Sequence, residues 1–144
     1  MLIPLLLCCM GTALLPHAEG ALVLDITGLE TARGSLFVAV YDSEDTFPSK
    51  GSPAAGRSVH VDSAPAMQLV FEGLPYGRYA VAVFHDLNGN GRLDTNALGI
   101  PTEPYAFSNN PVVKWSPPAF GDAVFEFRAP RKALPLQLKR WRDY

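Results

Sequence analysis

Apolar and polar residues alternate with a period of two along most of this chain, and helical spacing is scarce. Leu22–Thr27 reads as a first strand, closed by Gly28. Ser35–Tyr41 is a second, apolar on both faces and therefore expected to be central in its sheet. A long polar loop over Asp42–Gly56 leads to a short third strand, Arg57–Val61. Met67–Phe71 is a fourth strand, and Gly73-Leu74-Pro75-Tyr76-Gly77 is expected to turn tightly. A fifth strand, Arg78–His85, feeds straight into an Asx- and Gly-rich stretch that begins at Asp86. Ala123–Phe127 and Leu134–Lys139 complete the set, the last placed at an edge because Pro135 lacks a ladder donor. About seven short strands separated by turn signals predict an all-β fold, a single antiparallel β-sandwich of prealbumin- or immunoglobulin-like type.

Asp86 to about Phe120 carries five prolines and no clear period. A loop of that length in a small domain tends to be functional or disordered. Its aromatics Tyr105, Phe107, Trp115 and Phe120 favour an ordered loop folded over one end of the sandwich.

With 144 residues the chain holds one domain, expected over residues 21–139. Residues 1–20 read as a signal peptide: an apolar run, Leu2–Leu15, precedes the small-x-small pattern Ala18-Glu19-Gly20. The run is too short for a membrane span, and no Lys or Arg precedes it. Export predicts a periplasmic or secreted protein. Both cysteines, Cys8 and Cys9, fall inside that segment, so the expected domain has neither thiol nor disulfide. Residues 21–127 hold twelve acids and six bases, a net charge of −6. That acidic body argues against a nucleic-acid partner. Residues 128–144 hold six bases against Asp143 alone, and residues 140–144 are expected to form a solvated basic tail rather than a membrane contact.

The chemistry concentrates in Asp86-Leu87-Asn88-Gly89-Asn90-Gly91-Arg92-Leu93-Asp94. Oxygen-bearing side chains stand at alternate positions 86, 88 and 90, Gly91 follows where the backbone must turn, and Asp94 adds a carboxylate. This is the first half of a calcium loop, D-x-[DN]-x-[DN]-G. The bidentate Glu that would close an EF-hand is absent, because the twelfth position is Ala97. The expected ligands are Asp86, Asn88, Asn90, the carbonyl of Arg92, Asp94, and Glu103 returned by the Gly99-Ile100-Pro101 turn. Few carboxylates imply weak affinity, on the order of 0.1–1 mM. A metal-free loop of Asx-turns is the alternative reading of the same residues.

The run Phe71–Asn96, together with Leu98–Asn110 and Pro118-Ala119-Phe120, resembles a family of small secreted bacterial proteins, domain of unknown function 2141. The resemblance implies export, a β-sandwich and no established activity. Gly73-Leu74-Pro75-x-Gly77-x-Tyr79 and the Asp86 loop are also similar to prealbumin-like and surface-protein B-type modules, which are binding or stalk domains.

A catalytic array is not expected. His85 and Asp86 are neighbours on a strand and point to opposite faces, and no Ser sits in a Gly-x-Ser-x-Gly turn. His60 is the only other histidine after residue 20, too few for a histidine zinc site. The expected function is therefore a secreted, non-catalytic binding or structural module with a calcium loop, its partner an extracytoplasmic protein or glycan. The alternative is a small-ligand or glycan-binding protein, with Tyr105, Phe107, Trp115 and Phe120 lining a groove under the 97–120 loop.

Overall fold

A computed structural model describes residues 16–144. The chain runs β1 (Glu19–Thr27), β2 (Ser35–Tyr41), β3 (Ala55–His60), β4 (Ala66–Pro75), β5 (Gly77–Asp86) and β6 (Tyr105–Phe107). A short helix α1 (Phe120–Ala123) precedes β7 (Phe125–Phe127) and β8 (Arg131–Gln137), and a 3-10 turn spans Trp141–Asp143. One sheet has the order β4-β1-β8. The other has the order β3-β2-β5-β6, with β7 also paired to β5. This is the expected all-β sandwich. Most of the expected signal peptide falls on residues 1–15, outside the described residues.

The core lies between the two sheets. Leu22, Leu24 and Ile26 of β1, Leu69 and Phe71 of β4, and Leu134 and Leu136 of β8 face Leu36, Val38 and Val40 of β2. Val81 and Val83 of β5 and Phe125 and Phe127 of β7 close the same cluster. Each such side chain contributes about 1.5–3 kcal/mol by leaving water. No disulfide is needed to explain cohesion among the described residues.

Three expectations need correction. The sandwich has eight strands, because Tyr105–Phe107 pairs with β5 inside the stretch expected to be irregular. It is not wholly antiparallel: β8 runs parallel to β1, with Leu134 opposite Leu24 and Leu136 opposite Ile26. Period-two patterning assigns faces but carries no strand direction. Here residues 128–130 cross from one sheet to the other and start β8 beside the start of β1, where the Ala21 N–H donates to the Pro130 carbonyl at 2.8 Å. Gly20 permits that approach, since a Cβ there would lie 2.4 Å from the Ala129 carbonyl oxygen. Glu19 and Gly20, which cleavage after Gly20 would remove, are thus the first two rungs of β1, opposite Pro75 and Leu74.

The third correction is the tail. Arg140 grips both oxygens of Glu30 at 2.6 Å and donates to the Thr102 carbonyl at 2.7 Å. The Trp141 indole N–H donates to the Lys114 carbonyl. Tyr144 stacks on Tyr105 with ring centroids 5.1 Å apart, and its hydroxyl donates to the Tyr105 carbonyl at 2.9 Å. Burial drives the Tyr144 phenol upward in pKa, with Tyr105 adding to the effect. Charge alone predicts solvation, but the two aromatics supply the packing that a run of bases lacks.

Strands β6 and β7 share one edge of β5 and leave a gap between them at Val81. Ser108 fills it. Its Oγ accepts the Val81 N–H at 2.9 Å and donates to the Ala123 carbonyl, while its own N–H donates to the Val81 carbonyl at 3.0 Å. Ser108 is fully buried, so Ser108→Ala strands a donor and an acceptor away from water. Urea unfolding of Ser108→Ala is expected to show a loss of about 1–3 kcal/mol. A loss below about 0.5 kcal/mol would mean that this relay contributes little.

Candidate functional site

Alternation along β5 decides where its last two side chains go. His85 turns to the core side and is fully buried, its Nε2 donating to the Arg33 carbonyl at 2.7 Å. Asp86 turns to the opposite face and is 1% exposed. A His–Asp relay is therefore geometrically closed, as the period-two reading expects.

Asp86 organises the loop that follows it. Its Oδ1 accepts the Gly89 N–H at 2.9 Å and its Oδ2 accepts the Gly91 N–H at 2.8 Å. Both glycines sit in the left-handed region, with φ of +76° and +79°, where a side chain would be strained. Asn88 Oδ1 accepts the Asn90 N–H at 3.1 Å, and Asn90 Oδ1 accepts the Arg92 N–H at 3.0 Å. In these two Asx-turns the amide oxygens face the backbone. Both NH₂ groups consequently point at Asp94: Asn90 Nδ2 donates to its Oδ1 at 2.6 Å, and Asn88 Nδ2 to its Oδ2.

Glu103 does return to this loop. The Asn96 side chain caps the intervening turn by accepting the Leu98 and Ile100 N–H groups at 2.9 and 3.1 Å. The Thr102 N–H then donates to the Asp94 carbonyl at 2.9 Å. Glu103, 4% exposed, accepts the Leu87 N–H at 2.8 Å and the Asp94 N–H at 3.0 Å, bridging the two ends of the loop. Two carboxylates, Asp86 and Asp94, thus belong to the loop, and a third, Glu103, braces its two ends. None of them takes part in an ion pair among the described residues. Among the described residues, no three His, Cys, Asp or Glu side chains are grouped to hold a metal by themselves. Any cation here would also draw on the Asn oxygens and the Arg92 carbonyl.

Three of the four loop aromatics, Tyr105, Phe107 and Trp115, line one small cleft under the 97–120 loop, and Phe120 does not. Phe120 joins a second apolar cluster, where Phe47 packs edge-on against Tyr41, Phe107 and Phe120 at 5.5, 5.9 and 5.8 Å. Tyr105 is buried, its hydroxyl donating to the Val113 carbonyl at 3.1 Å. Trp115 is 81% exposed and borders that small cleft beside Leu98, sharing its lining with Tyr105 and Phe107. Phe107 and Tyr105 also border a larger cleft of about 630 Å³ on the outer face of the second sheet.

The register of β2 on β5 makes that cleft. Phe37 stands opposite Phe84 with rings stacked 5.0 Å apart, and the next outward rung pairs Ala39 with Ala82. Gly56 lies beside Ala39 across β3, and Phe107 beside Ala82 across β6. A row of Gly56, Ala39 and Ala82 between taller aromatics leaves a trough. Gly91, Arg92 and Leu93 of the Asp86 loop rise at one end of it. The sequence marks β2 as apolar on both faces, which is the signal for a second apolar surface; the pairing that sets alanine against alanine is not written there.

The fold and its loop define a small all-β sandwich domain with an acid- and amide-lined loop overhanging one sheet. The chain matches, over residues 24–134, the family described as an uncharacterized protein conserved in bacteria (DUF2141), and it belongs to that family. No curated protein and no solved structure matches the chain.

Proposed function

We propose that this protein is a non-catalytic binding or structural module working outside the cytoplasm, and that its Asp86 loop takes one calcium ion weakly. The observation that carries the reading is the presence of Asp86 and Asp94 in one loop, braced by Glu103, without an ion-paired base among the described residues. Asp86, Asn88, Asn90, the Arg92 carbonyl and Asp94 are the oxygen donors, a set suited to a hard cation. Each Asn Oδ1 accepts a single hydrogen bond and keeps a lone pair for the ion. At Asp94 the cation takes the place of the two amide donors, and the Asn88 and Asn90 amides turn their Oδ1 atoms toward it. Glu103 supports the loop from behind by holding the Leu87 and Asp94 N–H groups. Export is supported by the Leu2–Leu15 run, and absence of catalysis by a His85 that faces the core.

Calcium binding would stabilise the folded state by mass action. At ten times the dissociation constant the gain is about 1.4 kcal/mol, roughly 4–7 °C in melting temperature for a domain of this size. Thermal melts in EDTA and in about 5 mM calcium, a concentration chosen for the expected millimolar-range affinity, test this. Asp86→Asn is expected to abolish the calcium gain. Coincident melts with and without calcium would return the loop to a set of Asx-turns.

The small-ligand reading is favoured by a different observation, the trough over Ala39 and Ala82, whose volume falls within the usual range for ligand sites of about 300–1,000 Å³.

A further inference from the structure

The trough has a chemistry of its own. Its floor is Gly56, Ala39 and Ala82, and the stacked rings of Phe37 and Phe84 stand along one side. Phe107, beside Ala82 on β6, closes the end of that floor and packs edge-on against Phe47. No Asp or Glu is among the residues that line it. Two arginines are, and they differ. Arg57 is spent elsewhere: it donates to the Val70 carbonyl at 2.7 Å and lies over the Phe71 ring. Arg92 has no ion-pair partner among the described residues and projects from the exposed loop at the trough's end.

An apolar trough with one unpaired guanidinium at its end, on a body whose residues 21–127 carry a net −6, selects for charge and shape together. We infer that it binds a small aromatic or otherwise apolar molecule bearing a single anionic head, the apolar body lying over Ala39 and Ala82 and the head meeting Arg92. The inference rests on the binding-module reading but not on calcium. Neutral ligands of the same shape gain only the apolar contact. Dianions meet a single cation and the acidic surface around it.

The test uses two fluorescent probes of nearly one shape, 8-anilinonaphthalene-1-sulfonate and its uncharged relative N-phenyl-1-naphthylamine. Both are titrated into the purified protein, and the thermal melt and circular dichroism of each variant check folding. Wild-type protein is expected to take one equivalent of the sulfonate more tightly than the neutral probe. Arg92→Gln should weaken the sulfonate about tenfold and leave the neutral probe within about twofold, the loss of one charge-assisted contact. Ala82→Phe should block both probes by filling the trough, and the milder Ala39→Leu covers the case in which Ala82→Phe misfolds. Binding unaffected by either filling variant, or no binding at all, would overturn the site. Equal loss of both probes in Arg92→Gln would overturn the anionic head. A calcium shift that persists while both probes fail would leave the module reading standing without this ligand.

Discussion

Glu103→Ala is expected to destabilise the protein by about 2–5 kcal/mol, in EDTA as well as in calcium. The carboxylate is buried and each oxygen accepts one backbone N–H, from Leu87 and from Asp94. Hydrogen bonds to an ionised acceptor are worth about 1.5–3 kcal/mol apiece, and alanine leaves both donors facing a small cavity. Glu103→Gln divides the effect: the amide oxygen serves one N–H while its NH₂ meets the other donor head-on. About half of the alanine loss or more is therefore expected, because one N–H is actively opposed. Urea unfolding with an unchanged slope is the measurement. A loss under about 1 kcal/mol for alanine would mean that water replaces the side chain and that Glu103 does not organise the loop.

The second large effect is expected from deleting residues 140–144. The stack of Tyr144 on Tyr105 contributes about 0.5–1.5 kcal/mol beyond its burial. The Tyr144 hydroxyl and the Trp141 indole each make a hydrogen bond worth about 1 kcal/mol. The Arg140–Glu30 pair is bidentate but partly exposed, with side-chain exposures of 29% and 40%, so about 1 kcal/mol is its ceiling. Together these give a loss of about 3–4 kcal/mol, enough to lower the melting temperature by roughly 10 °C or more. The pair also brings a pH signature. The Arg140 hydrogen bond, followed by the charges of Arg140 and Arg142, holds the Glu30 carboxyl below its ordinary range, against an opposing effect of burial. A depressed folded-state pKa means that its contribution is present above the unfolded value of about 4.3 and lost as pH falls through the lower folded value. The gap between full chain and truncation should therefore narrow below about pH 4. A truncated protein that melts with the full chain would show that these contacts are not worth their ordering cost.

Much of the scaffold was legible because its signals are local. Period-two runs located most of the strands, and Pro135 correctly placed β8 at an edge. The Asp86 loop was legible because glycine at two positive-φ positions and alternate Asx residues leave few other conformations. The return of Glu103 was readable from Gly99-Ile100-Pro101, though not the Asn96 side chain that caps the turn. What was not legible depends on distant partners. Nothing around Pro130 announces that β8 will lie parallel to β1. Ser108 looks like any loop serine until the break between β6 and β7 leaves Val81 without a ladder partner. Trp141 and Tyr144 were hidden by the basic residues around them, and the trough by a register that no local rule supplies.

Calcium coordination by the Asp86 loop is read by calorimetric titration of the metal-stripped protein, with Asp86→Asn and magnesium as controls. One site is expected, with a dissociation constant on the order of 0.1–1 mM, lost in Asp86→Asn. Magnesium should bind far more weakly, because it demands tighter octahedral geometry than a glycine-rich loop offers. Heats no larger than dilution, identical for the protein and for Asp86→Asn, would contradict calcium coordination by the loop.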